Sequence, residues 1–173
     1  MRYLIDGYNL LHAMGLLRGK VGPHGLEKAR LALLGRLCGV YGRDSSAVTV
    51  VFDASRAPSD AAADEDYNGI HIRYAINREA DEIIESLIQH EATPRLLTVV
   101  SDDHRIQQAA RRRRCLVRGC LDYLEEIERR RRRKPTSPET SDKPEGVSGA
   151  ETQHWLRAFT DDSDQTESYP DER

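Results

Sequence analysis

Three apolar runs in this chain each stop at an aspartate, and that pattern limits the possible folds more than any other. They are Tyr3-Leu4-Ile5-Asp6, Ala47-Val48-Thr49-Val50-Val51-Phe52-Asp53, and Leu96-Leu97-Thr98-Val99-Val100 with Ser101-Asp102 after it. Unbroken apolar runs of this kind suit parallel strands covered on both faces. In an open parallel sheet the carboxyl ends of the strands share one edge, and that edge is where ligands bind.

The stretches between the runs read as helices. Leu26, Ala29, Leu33 and Leu37 fall on one stripe after a Gly-rich loop over 19–25. Leu10 through Leu17 is apolar enough to begin a helix or a packed turn. Ile70-His71-Ile72-Arg73-Tyr74 alternates and predicts an edge or flanking strand. Asn77 is placed as the N-cap of a helix reaching about Glu91, with Asp81, Ile84 and Ile88 on one face. A helix over His104–Arg113, a short strand at Cys115–Val117 and a charged helix over Leu121–Arg132 complete the series. The order β-α-β-(β)-α-β-α-β-α predicts an α/β domain: a central, mainly parallel sheet with helices on both faces.

Composition places the boundary of that domain. Hydrophobic residues make up 38% of the 173 and charged residues 32%, which fits a folded body carrying a polar tail. Residues 105–134 hold twelve Arg and Lys against four Asp and Glu, whereas 135–173 hold three against ten. The expected division is a domain over 1–134 and a flexible linker with an acidic tail over 135–173, interrupted by a small apolar island at 155–159. Residues 54–68, rich in Ala, Asp, Ser and Pro, read as a loop. Three cysteines (Cys38, Cys115, Cys120) without a CxxC pair, no signal-peptide pattern and no apolar run long enough to span a bilayer predict a cytoplasmic protein with free thiols and no membrane partner.

Asp6, Asp53 and Asp102 would meet at the carboxyl edge of the sheet, and Asp81, at the start of a helix, can reach the same edge. Each alone is open to a plain reading as a turn former or helix cap. Together they are open to a second, because clustered carboxylates repel and a hard divalent cation such as Mg²⁺ or Mn²⁺, which prefers oxygen ligands, would compensate them. A site of that kind supports attack of water on a phosphodiester.

The segment Tyr3-Leu4-Ile5-Asp6-Gly7-Tyr8-Asn9-Leu10-Leu11-His12 resembles the opening motif of NYN domains, specifically the YacP-like family of PIN-like ribonucleases. Val50-Val51-Phe52-Asp53-Ala54, Ala80-Asp81-Glu82-Ile83-Ile84 and Val99-Val100-Ser101-Asp102 are similar to later motifs of that family, in the same order. Gln153–Phe159 is similar to its C-terminal W-x-x-x-F island. The resemblance implies a PIN-like three-layer fold and a metal-dependent endoribonuclease, in a family that includes a ribosome-associated enzyme acting on messenger RNA. It implies Asp6, Asp81 and Asp102 as metal-holding catalytic acids and Asn9 as the group orienting a ligand, water or phosphate. Asp53 ranks behind these as a metal ligand, acting through water, and Asp103 and Glu82 are outer groups or surface acids.

An RNA partner requires cations to neutralise phosphates. Arg78 and the run Arg111-Arg112-Arg113-Arg114 are the candidates, together with the run from Arg129 to Lys134 and with Arg18 and Lys20. Two alternatives stand beside the nuclease. One is an RNA- or ribosome-binding module without catalysis. The other is a phosphatase with Asp6 as nucleophile, which expects a second Asp two residues on, where this chain has Tyr8.

Overall fold

A computed structural model of the chain describes residues 1–17, 22–53 and 62–133. The linker, the apolar island, the acidic tail, Lys134, Arg18 and Lys20 lie outside the described residues. Six strands form one sheet: β1 (Arg2–Asp6), β2 (Val48–Asp53), β3 (Asp64–Tyr67), β4 (Ile70–Ala75), β5 (Leu97–Val100) and β6 (Leu116–Arg118). The spatial order is β3-β4-β2-β1-β5-β6. Every pairing is parallel except β3 with β4.

Side-chain alternation divides the core into two layers. Tyr3, Ile5, Val48, Val50 and Phe52 point to one face, where helices α1 (Gly7–Ala13), α2 (Pro23–Tyr41) and α5 (Cys120–Arg133) bury Leu10, Leu33, Leu37, Tyr123 and Ile127. Leu4, Val51, Leu97 and Val99 point to the other, covered by Ile84 and Ile88 of α3 (Ala80–His90) and by Ile106 and Ala110 of α4 (His104–Arg112). The expected three-layer α/β architecture is the one observed.

The differences from the sequence reading are local. The end of the expected loop forms β3, whose residues Asp64-Glu65-Asp66-Tyr67 are too polar to read as a strand because only β4 pairs with it. Asn68 and Gly69 join the two strands with positive φ (50° and 88°), the backbone that a two-residue hairpin turn requires. As a result β4 is an interior strand, not an edge. Helix α2 starts at Pro23, earlier than the apolar stripe indicates, with the proline in its first turn. The N-cap of α3 is Glu79 and not Asn77, which instead turns the chain with φ 57° two residues upstream. Asn tolerates that left-handed region better than most residues.

The strand order fixes where a site can form. From β1 the chain builds outward through β2 and β4, then crosses back to β5 on the other side of β1. The reversal leaves a crevice at the carboxyl end of β1, beside β5. Register carries Asp6 into that crevice: Ile5 lies opposite Val100, so Asp6 stands beside Ser101.

The turn out of β1 tolerates little bulk. A Cβ added at Gly7 would overlap the ring of Phe52, which is fully buried. Gly7→Ala is therefore expected to destabilise the domain by about 1–3 kcal/mol, read from the midpoint of urea unfolding. An unchanged midpoint would show that this close packing is not needed.

Candidate active site

Asp6 ends β1 and caps α1 in the same residue. Its carboxylate accepts the Asn9 backbone N–H at 3.1 Å, and the Asn9 side-chain amide donates to its other oxygen. Ser101 Oγ donates to Asp6 Oδ2 at 3.1 Å and itself accepts the Asp103 N–H at 3.0 Å. Only 4% of Asp6 is exposed, and Ser101 is wholly buried. Burial pushes the Asp6 carboxyl above its ordinary pKa; the hydrogen bonds from Asn9 and Ser101 pull against that, and the charge of Asp103 adds to it.

Asp81 enters from the first turn of α3, half-buried. Its pKa is also raised, first by burial and then by the charges of Asp103 and Asp6, with Arg105 acting in the opposite direction. Asp103 caps α4, accepting the N–H groups of Arg105 at 2.7 Å and Ile106 at 3.1 Å. The carboxylates that act on one another are thus Asp6, Asp81 and Asp103. All three sit at helix N-termini, where backbone N–H groups and the helix dipole favour negative charge.

Asp102 faces another neighbour. It is exposed, and one of its oxygens accepts the Cys120 N–H at 2.8 Å, tying it to the start of α5. Burial raises the Cys120 thiol pKa, and the charges of Asp102 and then Asp6 add to that, so both carboxylates lie in reach of the same sulfur. Asp53 is half-buried at the end of β2. In register Asp6 lies beside Val51, so Asp53 is two residues further along and one strand across, roughly 6.6 Å by 4.8 Å. Among the described residues, no three Asp, Glu, His or Cys side chains converge into a ready-made metal cage.

That result bears on which cation fits. Mg²⁺ retains several waters and takes one or two carboxylates directly, rather than an all-protein cage. A buried, hydrogen-bonded carboxylate beside two mutually repelling ones matches that habit and offers only hard oxygen donors.

The basic candidates separate by place. Arg78 pairs with Glu82 at 3.3 Å on the surface of α3. Arg111 donates to Gln107 Oε1 at 3.1 Å. Arg113 donates to the carbonyls of Ile88 and Glu91 at 3.4 and 2.9 Å, finishing α3. Arg114 turns the chain into β6 with φ 61°. Ser101 and Arg105 went unread in the sequence. Ser101 becomes legible only through the β1–β5 register, and Arg105 only through the packing of α4 on α3.

A mainly parallel sheet with an acidic crevice at its switch point is the layout of a PIN-like, nuclease-type α/β domain. The family model for the YacP-like NYN domain matches residues 3–159, and the chain belongs to that family. Its fold is similar to the crystal structure of Rae1 (YacP) from Bacillus subtilis, with 26% identity, a TM-score of 0.62 and 92% of each chain covered. A mutant form of Rae1 matches with 23% identity and a TM-score of 0.60, over 95% of this chain and 87% of that one. No curated protein sequence matches. Family and fold give the chain a nuclease-like character. No helix among the described residues is long and apolar enough to cross a membrane.

The raised pKa of Asp81 has a consequence for stability. Its folded-state pKa lies above the ordinary value of 3.8. The folded state therefore binds the proton more tightly, and stability falls as pH rises through that window and stays lowered above it. With chelator present at pH 7, Asp81→Asn is expected to unfold at slightly higher urea than wild type, by under about 1 kcal/mol. The gain should vanish below pH 3.8. A variant less stable than wild type at pH 7 would show that the charge is not opposed.

Proposed function

We propose that this protein is a Mg²⁺- or Mn²⁺-dependent endoribonuclease. The observation that supports it best is Asp6: a buried carboxylate at the sheet's switch point, held by Asn9 and Ser101 and facing the charges of Asp81 and Asp103. Keeping such a group charged costs stability, and a structural role would be filled better by a neutral residue.

In this reading Asp6 and Asp81 hold the cation, with Asp103 acting on both, and Asp102 and Asp53 acting through water. The cation, when bound, lowers the pKa of the attacking water and neutralises charge on the phosphate. The remaining work belongs to the chain. Asn9 and Ser101 fix the orientation of the Asp6 carboxylate, so that it need not reorganise during the reaction. Asp81 is the more open carboxylate and faces the substrate. Water adds to phosphorus as the bond to the leaving ribose oxygen breaks, and the proton from the water ends on that oxygen. RNA is the substrate that the family resemblance implies, and the ribosome enters this reading only through that resemblance.

The lack of a ready-made three-ligand cage among the described residues favours a second reading, an RNA-binding module without cleavage. One assay separates them. Wild type is expected to linearise a circular single-stranded RNA with Mg²⁺ or Mn²⁺ and not with chelator. Asp6→Asn and Asp81→Asn should each lower the rate by on the order of 10²-fold or more, and Ser101→Ala by about 10- to 100-fold. Cleavage at the wild-type rate by the two Asn variants would overturn the site. RNA binding by wild type without any cleavage would leave the module.

A further inference from the structure

Helices α3 and α4 pack side by side, and both begin at the acidic crevice. Between them runs a groove of about 480 Å³. From α4 it is lined by Arg105, Gln108 and Arg112, spaced i, i+3, i+7 on one face, and from α3 by Glu85 and Gln89, with Arg113 at its far end. Arg105 marks the end nearest the acids: it acts on Asp81, and it forks onto Glu85 with contacts of 2.7 and 3.1 Å. Arg112 is exposed and has no carboxylate partner among the described residues. Seven residues of helix separate the two arginines, about 10.5 Å at 1.5 Å per residue.

We infer that this groove is the track along which the sugar–phosphate backbone of a single RNA strand leaves the catalytic acids. The inference rests on the endoribonuclease reading and adds the direction of the strand and the groups that hold it. Three guanidinium groups against one carboxylate give the groove a net positive charge, and arginine presents the planar donor set that matches a phosphate. Two packed helix axes stand about 8–10 Å apart; the cleft between them admits one backbone and not a duplex. Arg113 has its donors committed to the end of α3, so it shapes the groove wall. Arg112 supplies uncommitted charge. Glu85 restrains Arg105, and a phosphate arriving at that end competes with it. The resulting division of labour within the arginine run is specific: Arg112 contacts the strand, Arg113 ties α4 to the end of α3, and Arg111 bonds within its own helix.

The test is binding of a labelled, unstructured single-stranded RNA to the full-length protein in chelator, over a series of salt concentrations. Arg112→Gln should weaken binding by roughly 5- to 10-fold at moderate salt and reduce the slope of log affinity against log salt by about 0.7. Glu85→Lys, a gain that misfolding cannot imitate, should tighten binding. Arg43→Gln, in the turn that leads into β2 and outside the groove lining, should change neither. The same RNA annealed to its complement should bind wild type more weakly. If wild type cleaves RNA while Arg112→Gln retains both affinity and slope, the groove is not the track and the nuclease reading survives. If the salt slope depends on Arg112 and Glu85 but nothing is cleaved, the groove stands and the nuclease reading fails. Tighter binding of the duplex would also overturn the single-strand track.

Discussion

The burial of the Asp6 carboxylate is the constraint on which the rest of the molecule depends. A charge taken out of water must be met by hydrogen bonds or by an opposite charge. Here Asn9 and Ser101 supply hydrogen bonds, and each is delivered by a different part of the fold. Asn9 arrives because α1 starts immediately after β1, which requires Gly7 against Phe52. Ser101 arrives because β5 pairs with β1 in the register that sets Ile5 opposite Val100. A slip of one residue would turn Ser101 to the opposite face and leave Asp6 without that donor. What these bonds do not meet is the repulsion from Asp103 and Asp81, and that residue of unmet charge is the physical basis for expecting a cation.

The two faces of the sheet divide the tasks. The α1, α2 and α5 face carries the aromatic core, including Tyr3, Tyr41 and Tyr123, with the last two hydroxyls 3.0 Å apart. Arg130 donates to the Tyr3 hydroxyl at 2.7 Å and so fastens α5 to that core. Part of the C-terminal arginine run is therefore structural. The α3 and α4 face brings the further acids, because Asp81 and Asp103 stand at the N-termini of those helices and act on Asp6, and side-by-side packing leaves a basic groove between the two.

Much of this was legible in the sequence, and the parts that were not have physical reasons. The apolar runs ending at Asp6, Asp53 and Asp102 located the central strands and the edge at which their carboxyl ends meet. The spacing of Asp81, Ile84 and Ile88 placed Asp81 on the inward face of its helix. Strand β3 escaped because an edge strand with one partner has no need of apolar residues, although Asn68-Gly69 carried the hairpin signal. The part that Asp103 plays in raising the Asp6 and Asp81 carboxyls was not legible either. Adjacent residues at a strand end point in different directions, and only the starts of α4 and α5 decide what each meets: Asp103 caps α4, and Asp102 accepts the Cys120 N–H. Ser101 and Arg105 depend on long-range register and helix packing, which no local pattern encodes.

The proposed cation site has Asp6 as its anchor and is completed by its acidic neighbours and by water. Titration of Mn²⁺ into the full-length protein, followed by the relaxation rate of water protons, tests this without reference to any RNA. Wild type should bind Mn²⁺ with a strong enhancement of relaxation, reflecting retained waters, and Asp6→Asn should lose that binding while remaining folded. Equal titration curves for the two proteins would contradict it.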